Sequence, residues 1–153
     1  MRKEINIGFV GYSDIPNSAV EKEMRDEVSR IFSIIERKYC NEQHQDVEIN
    51  IITGATNCGI SKYVYETATK FNNEYGQWFT LVGVMAKEGY KYELYPCDVI
   101  YALGENFGDE SEFFIKIVDE LYKIGGGNQS QKEFAMAQEK GIPCYEYSVK
   151  CAK

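Results

Sequence analysis

The chain has 153 residues, 44% hydrophobic and 27% charged, a composition that supports a folded core and not a disordered segment. A net charge of −7 argues against non-specific binding to DNA or RNA, which depends on Lys and Arg contacts to phosphates, and no basic cluster compensates. No apolar run reaches the roughly 20 residues needed to cross a bilayer, so no membrane contact is expected.

The amino terminus has no apolar signal-peptide core and leads straight into a strand-like segment, so a cytoplasmic location is the expectation. The five cysteines (Cys40, Cys58, Cys97, Cys144, Cys151) are irregularly spaced and form no C-x-x-C pair, and the single histidine, His44, lies in a polar stretch. An odd number of scattered thiols fits a reducing compartment, and neither a metal site nor a cofactor is expected.

Residues 5–10 alternate and then run apolar, and predict a first strand ending in Gly8–Gly11. A turn-rich loop follows, and Ser18-Ala19-Val20-Glu21 has the form of a capping box, with the serine as cap. Val20, Met24, Val28, Ile31, Phe32 and Ile35 recur at helical spacing, one buried face on a helix of about five turns. After a polar connection at 41–46, residues 47–53 are a β-branched run typical of a strand covered on both faces. Ile60, Val64, Ala68 and Phe71 mark a second helix. Residues 78–86 and 98–103 predict two more strands, 111–120 a short amphipathic helix and 121–124 a fifth strand. A helix over 130–140 closes at Gly141 and Pro143, and 144–149 read as a last strand. Strands alternating with helices predict one α/β domain over residues 1–153: a single Rossmann-like, doubly wound, mostly parallel sheet with helices on both faces.

Two glycine-rich segments stand where a strand hands over to a helix. They are Thr53-Gly54-Ala55-Thr56-Asn57-Cys58-Gly59-Ile60 and Ile124-Gly125-Gly126-Gly127-Asn128-Gln129-Ser130, the second followed by Glu133. Glycines let backbone approach a ligand closely, and the N-terminus of the next helix offers unpaired N–H groups and a positive dipole end to an anion. A phosphate-bearing small molecule is the ligand such turns suit. Residues 54–61 have the glycine spacing of a Walker A loop, but Ile60 stands where its lysine must be. The dinucleotide fingerprint and the G-x-S-x-G elbow are absent as well.

Gly11-Tyr12-Ser13-Asp14 after the first strand, the two glycine segments, and Ala137 with Gly141-Ile142-Pro143 occur in an order that resembles the SLOG superfamily of Rossmann-like proteins. That group includes the lysine-decarboxylase-like phosphoribohydrolases (the LOG proteins that activate cytokinins), the DNA-processing protein A family and nucleotide-sensing domains of bacterial defence systems. The resemblance spans most of the chain and implies a nucleotide or nucleotide-derived ligand held between the loops, usually in a homodimer. In the hydrolase branch the late motif reads P-G-G-x-G-T-x-x-E. Here Ile124 replaces the proline, Gln129-Ser130 occupies the stretch around G-T, Glu133 matches the glutamate, and Arg25, Arg30 and Arg37 offer no clear counterpart of an assisting arginine.

The candidate ligand-binding residues are therefore Gly11, Tyr12, Ser13, Gly54, Thr56, Gly59, Gly125, Gly126, Gly127, Asn128 and Ser130. Thr56 and Ser130 have hydroxyls for phosphate oxygens, although both also suit helix capping, and Tyr12 could stack on a base or simply pack. Lys62 and Lys132 are either phosphate partners or ordinary surface lysines. Cys58 is either a nucleophile or a small residue that fits its loop. Breaking a base–ribose bond needs a carboxylate, and Glu133 and Asp14 are the candidates. The alternative is an acid at a helix start for Glu133 and an Asx-turn for Asp14. Residues 106–110 resemble a lid-like loop. Three functions stay open: a nucleotide-binding module, a nucleoside 5′-monophosphate phosphoribohydrolase using Glu133, and a non-catalytic sensor or sequestering protein for a signalling nucleotide.

Overall fold

The computed structural model describes residues 3–44 and 46–152; Met1, Arg2, Gln45 and Lys153, which the expected domain and its polar connection include, lie outside the described residues. Six strands, β1 (Lys3–Gly11), β2 (Val47–Thr53), β3 (Phe79–Met85), β4 (Val99–Ala102), β5 (Glu120–Ile124) and β6 (Cys144–Tyr147), form a sheet in the order β4-β3-β2-β1-β5-β6 with every ladder parallel. Helices α1 (Ser18–Tyr39) and α2 (Gly59–Tyr75) cover one face, and α3 (Ser111–Ile117) and α4 (Asn128–Glu139) the other. The expected doubly wound α/β sheet is what the chain forms.

Strand side chains alternate between the faces, so each strand supplies two cores. Ile7, Phe9, Ile49 and Ile51 pack with Met24, Val28, Ile31 and Ile35 of α1 and with Val64 and Ala68 of α2. Val10, Ile52, Val82, Val84 and Leu121 face the opposite way, against Phe114, Ile115 and Val118 and against Ala137 of α4. This two-sided burial explains the continuous apolar reading of the strands.

Several boundaries differ from expectation. Asn17, not Ser18, caps α1: its Oδ1 accepts from the Val20 N–H at 3.0 Å, and Ser18 is the first helical residue. An asparagine oxygen serves as well as a serine hydroxyl here. Glu21 does not reach back to the cap but takes the Arg25 Nε–H at 3.0 Å. The helix runs on past Ile35 because Tyr39 is buried too. Helix α3 stops at Ile117, and Glu120, expected at a helix end, opens β5; the Asp119 carboxylate between them accepts from the Asn6 N–H at 2.8 Å and ties this turn to β1. Helix α4 begins two residues early, at Asn128. Strand β6 ends at Tyr147, after which Val149 turns into the core beside α1.

Candidate functional site

In the strand order, the chain moves from β1 outward through β2, β3 and β4 on one side, then returns to place β5 and β6 on the other. The reversal lies between β1 and β5, and in such sheets a crevice opens beyond the carboxyl ends of the strands at that point. The ends meet very closely. A Cβ on Gly11 would stand 2.4 Å from the Ile124 carbonyl oxygen, so only glycine permits this spacing. A cleft of about 510 Å³ opens above it, within the roughly 300–1,000 Å³ common for small-molecule sites.

The structure divides the glycine-loop candidates into two groups. Gly11, Tyr12, Ser13, Asp14, Gly54, Thr56, Gly127, Asn128, Ser130 and Glu133 line the cleft. Gly59, Gly125 and Gly126 are not among the lining residues and brace the loops from behind. At Gly59 (φ +54°) a Cβ would lie 2.4 Å from the Tyr12 carbonyl oxygen, and at Gly125 (φ +62°) it would lie 2.3 Å from the Tyr12 ring. Gly54 has no such constraint, since an added Cβ would meet only the Ser61 hydroxyl, at 3.2 Å.

The two helix N-termini also differ. At α2 the Ile60 N–H is spent on the Tyr12 carbonyl at 2.9 Å, so this end of the helix is used to fasten the loop after β1. At α4 the cap residue Gly127 has no side chain to offer, and Gly127, Asn128, Gln129 and Ser130 all face the cleft. The first-turn amides and dipole of α4 are therefore directed at the space between β1 and β5. The Ser130 hydroxyl donates to the Gly11 carbonyl at 3.2 Å and joins this turn to β1.

Among the described residues the lining contains three acids, Asp14, Glu110 and Glu133, and no lysine, arginine or histidine. Lys62 and Lys132 are not among the lining residues. Arg25 is engaged by Glu21 and Glu66 and lies over the Tyr63 ring, 4.2 Å from its centroid. Cys58 lines the cleft, with its thiol 3.5 Å from the Thr56 hydroxyl. Among the described residues no group of three or more His, Cys, Asp or Glu side chains is arranged to hold a metal ion, and no helix is long and apolar enough to cross a membrane.

Glu133 is buried against α3, where its Oε2 accepts from the Ser111 hydroxyl at 2.7 Å. Burial pushes its carboxyl above the usual range; bonds from Ser111 and Gln129 offset this in part, and neighbouring Glu110 adds to the rise. The folded chain thus holds a proton that the unfolded chain releases near pH 4.3, roughly the free glutamate value. Stability from this group is complete in acid and falls as pH rises through the folded value. Glu133→Gln should remove that dependence. Thermal melts are expected to place the variant level with or above the native protein at pH 7 and to bring the two together below about pH 4; a variant markedly less stable at pH 7 would contradict the assignment.

Sequence reasoning did not single out Ser111, Gln129 or Tyr92, and it placed Phe107 and Glu110 only in a lid-like loop. Glu110 belongs to the segment expected to be a lid. That segment is tied down by the Asp109 carboxylate, which accepts from the Glu105 and Asn106 N–H groups at 3.0 and 2.9 Å, and by Glu88, which accepts from the Phe107 N–H at 2.9 Å. Phe107 and Tyr92 pair at the cleft with ring centroids 5.9 Å apart. No sequence pattern announces the contacts of Phe107 with Glu88 and Tyr92, which join separate segments of the chain.

No protein-family model and no curated protein matches the chain. Solved structures do match in fold. One, a Northeast Structural Genomics Consortium target, is 21% identical with a TM-score of 0.67, over 92% of this chain and 72% of its own. The molybdenum cofactor binding protein from the phototrophic bacterium Rippkaea orientalis is 13% identical with a TM-score of 0.64, over 97% of this chain and 77% of its own. The molybdenum cofactor carrier protein from Chlamydomonas reinhardtii is 15% identical with a TM-score of 0.62, over 98% and 81%. At these identities the likeness is one of fold. It corrects the resemblance to the SLOG superfamily and its LOG branch, because the solved structures that the fold resembles include a molybdenum cofactor binding protein and a molybdenum cofactor carrier protein. The physical reason is that short glycine turns are what any doubly wound sheet needs at its carboxyl edge, so they report fold and not family. The homodimer implied by that resemblance has no support in these likenesses.

Proposed function

We propose that the cleft binds a nucleotide-derived small molecule, with a phosphate on the first-turn amides of α4 and the rest of the ligand extending toward Tyr92 and Phe107. The observation that carries this reading is the uncapped α4 N-terminus opening into a cleft at the topological switch point. With no cation among the described lining residues, recognition of the phosphate falls to backbone N–H groups and to the hydroxyls of Ser13 and Thr56, the Ser130 hydroxyl being given to the Gly11 carbonyl. The molybdenum cofactor, for which two similarly folded proteins are named, belongs among the first ligands to try. Native mass spectrometry after incubation with mono-, di- and cyclic nucleotides and with molybdenum cofactor is expected to detect an intact ligand on the protein. Retention of none of them would overturn the proposal.

A second reading uses the same cleft for N-glycosidic cleavage. It is favoured by one observation: Glu133 is a buried carboxyl with a raised pKa next to a second carboxylate, Glu110, and acids of that kind protonate leaving groups. The same spectra separate the two. Free base and ribose phosphate, lost on Glu133→Gln, would establish cleavage, whereas intact ligand on both proteins would establish binding alone.

A further inference from the structure

Glu110 is only 5% exposed, yet it lines the cleft. Its Oε1 accepts from the Gly108 N–H at 2.7 Å, which fixes the carboxylate plane from behind. Among the described residues its Oε2 has a single donor, the Gln129 side-chain amide, at 3.5 Å. That distance is at the limit of a hydrogen bond, and the same amide nitrogen stands 3.4 Å from Glu133 Oε2. Desolvating a carboxylate is costly unless donors replace the lost water, and this one, in the wall of the cleft, has acceptor capacity left over. A second observation lies at the same cleft. Tyr92 and Phe107 are large aromatics exposed by 54% and 42%, tilted 45° to each other, and both line it. Exposed rings beside a cleft form a stacking surface for a planar heterocycle.

Resting on the proposed phosphate-bearing ligand, we infer that Glu110 is a specificity residue that selects a heteroaromatic ring carrying two adjacent N–H donors, the 2-amino-4-oxo-pyrimidine edge shared by guanine and pterins. Such an edge presents two parallel N–H groups, the geometry a carboxylate accepts in bidentate form. An adenine ring presents a ring-nitrogen acceptor beside its amino group, and that lone pair would face the carboxylate. A hypoxanthine ring keeps the ring N–H but lacks the 2-amino group. Sites built on a polar pair reject analogues that leave a buried partner unpaired. The three acids of the lining also disfavour ligands with several phosphates, so one phosphate on α4 is the fitting charge.

The test is isothermal titration of the native protein and of Glu110→Gln with GMP, IMP, AMP and neopterin monophosphate. The native protein is expected to bind GMP, neopterin monophosphate or both at least about 10-fold more tightly than AMP and IMP, one good bidentate pair being worth a factor of roughly 10 to 100. Preference for GMP identifies a guanine source and preference for neopterin monophosphate a pterin source; each supports the inference. Glu110→Gln should abolish that preference by weakening GMP and neopterin monophosphate and strengthening AMP, whose acceptor and amino group an amide can pair with, and Tyr92→Ala should weaken all bound ligands together without changing their order. AMP bound as tightly as GMP and neopterin monophosphate would overturn the inference and leave the phosphate site intact. No binding of any of the four, or of the molybdenum cofactor, would overturn the underlying reading as well. Should Glu110→Gln not fold, the order of affinities in the native protein still decides the point.

Discussion

Gly126→Val is expected to weaken ligand retention at least 100-fold while the protein stays folded. Gly126 has a φ of +114°, a conformation closed to side chains branched at Cβ, and an added Cβ would stand 2.6 Å from the Ser130 Cβ and 2.8 Å from its hydroxyl oxygen. Relief must come from moving Ser130 and the first turn of α4, the part of the helix that faces the cleft. Strain of this kind costs roughly 1–3 kcal/mol, which a chain of this size can lose and still fold. A factor of 100 in affinity corresponds to about 2.7 kcal/mol. Gly141→Val provides the matched control: its φ is +76°, but nothing lies within 4 Å of the added Cβ, and it sits past the far end of α4. That variant should lose stability and keep its ligand. Titration calorimetry with circular dichroism separates the two, and full binding by folded Gly126→Val would refute the placement of the phosphate at α4.

The second large effect is on the core. Phe9→Ala is expected to destabilise the protein by about 3–5 kcal/mol, which in a chain of this length lowers the melting temperature by roughly 10 °C. The Phe9 ring is 1% exposed and stacks between Phe32 of α1 and Tyr122 of β5, with centroids 5.6 and 5.5 Å away. No single neighbour can close the resulting void, because these partners come from different elements. Phe9 also lies two residues before Gly11 and contributes to the cleft lining, so the loss should reach the site. A guanidinium chloride titration measures it, and a loss under about 1.5 kcal/mol would mean that the core re-forms around the gap.

The sequence is informative wherever the signal is local. Val20, Met24, Val28, Ile31 and Ile35 reveal their helix because residues three and four apart share a face. Local signals are ambiguous where two solutions are nearly equal, as at Asn17 and Ser18, either of which can cap a helix. The family assignment failed for a related reason: glycine turns at the carboxyl edge meet a geometric demand common to many doubly wound proteins.

Alternation of apolar strands with amphipathic helices, and glycines at the strand-to-helix turns, determined by themselves that this chain is a doubly wound sheet with loops suited to an anion at one edge. Both signals depend on neighbours within a few residues, so they can be read before folding. Only the tertiary structure decided that α4 opens its amides to the cleft while α2 spends the Ile60 N–H on Tyr12. It alone placed Glu110 near Glu133, set Tyr92 against Phe107 and, among the described residues, left every cation out of the lining. Those are contacts between segments far apart in the chain, and their energies depend on burial that exists only once α3, α4 and the sheet have closed on one another.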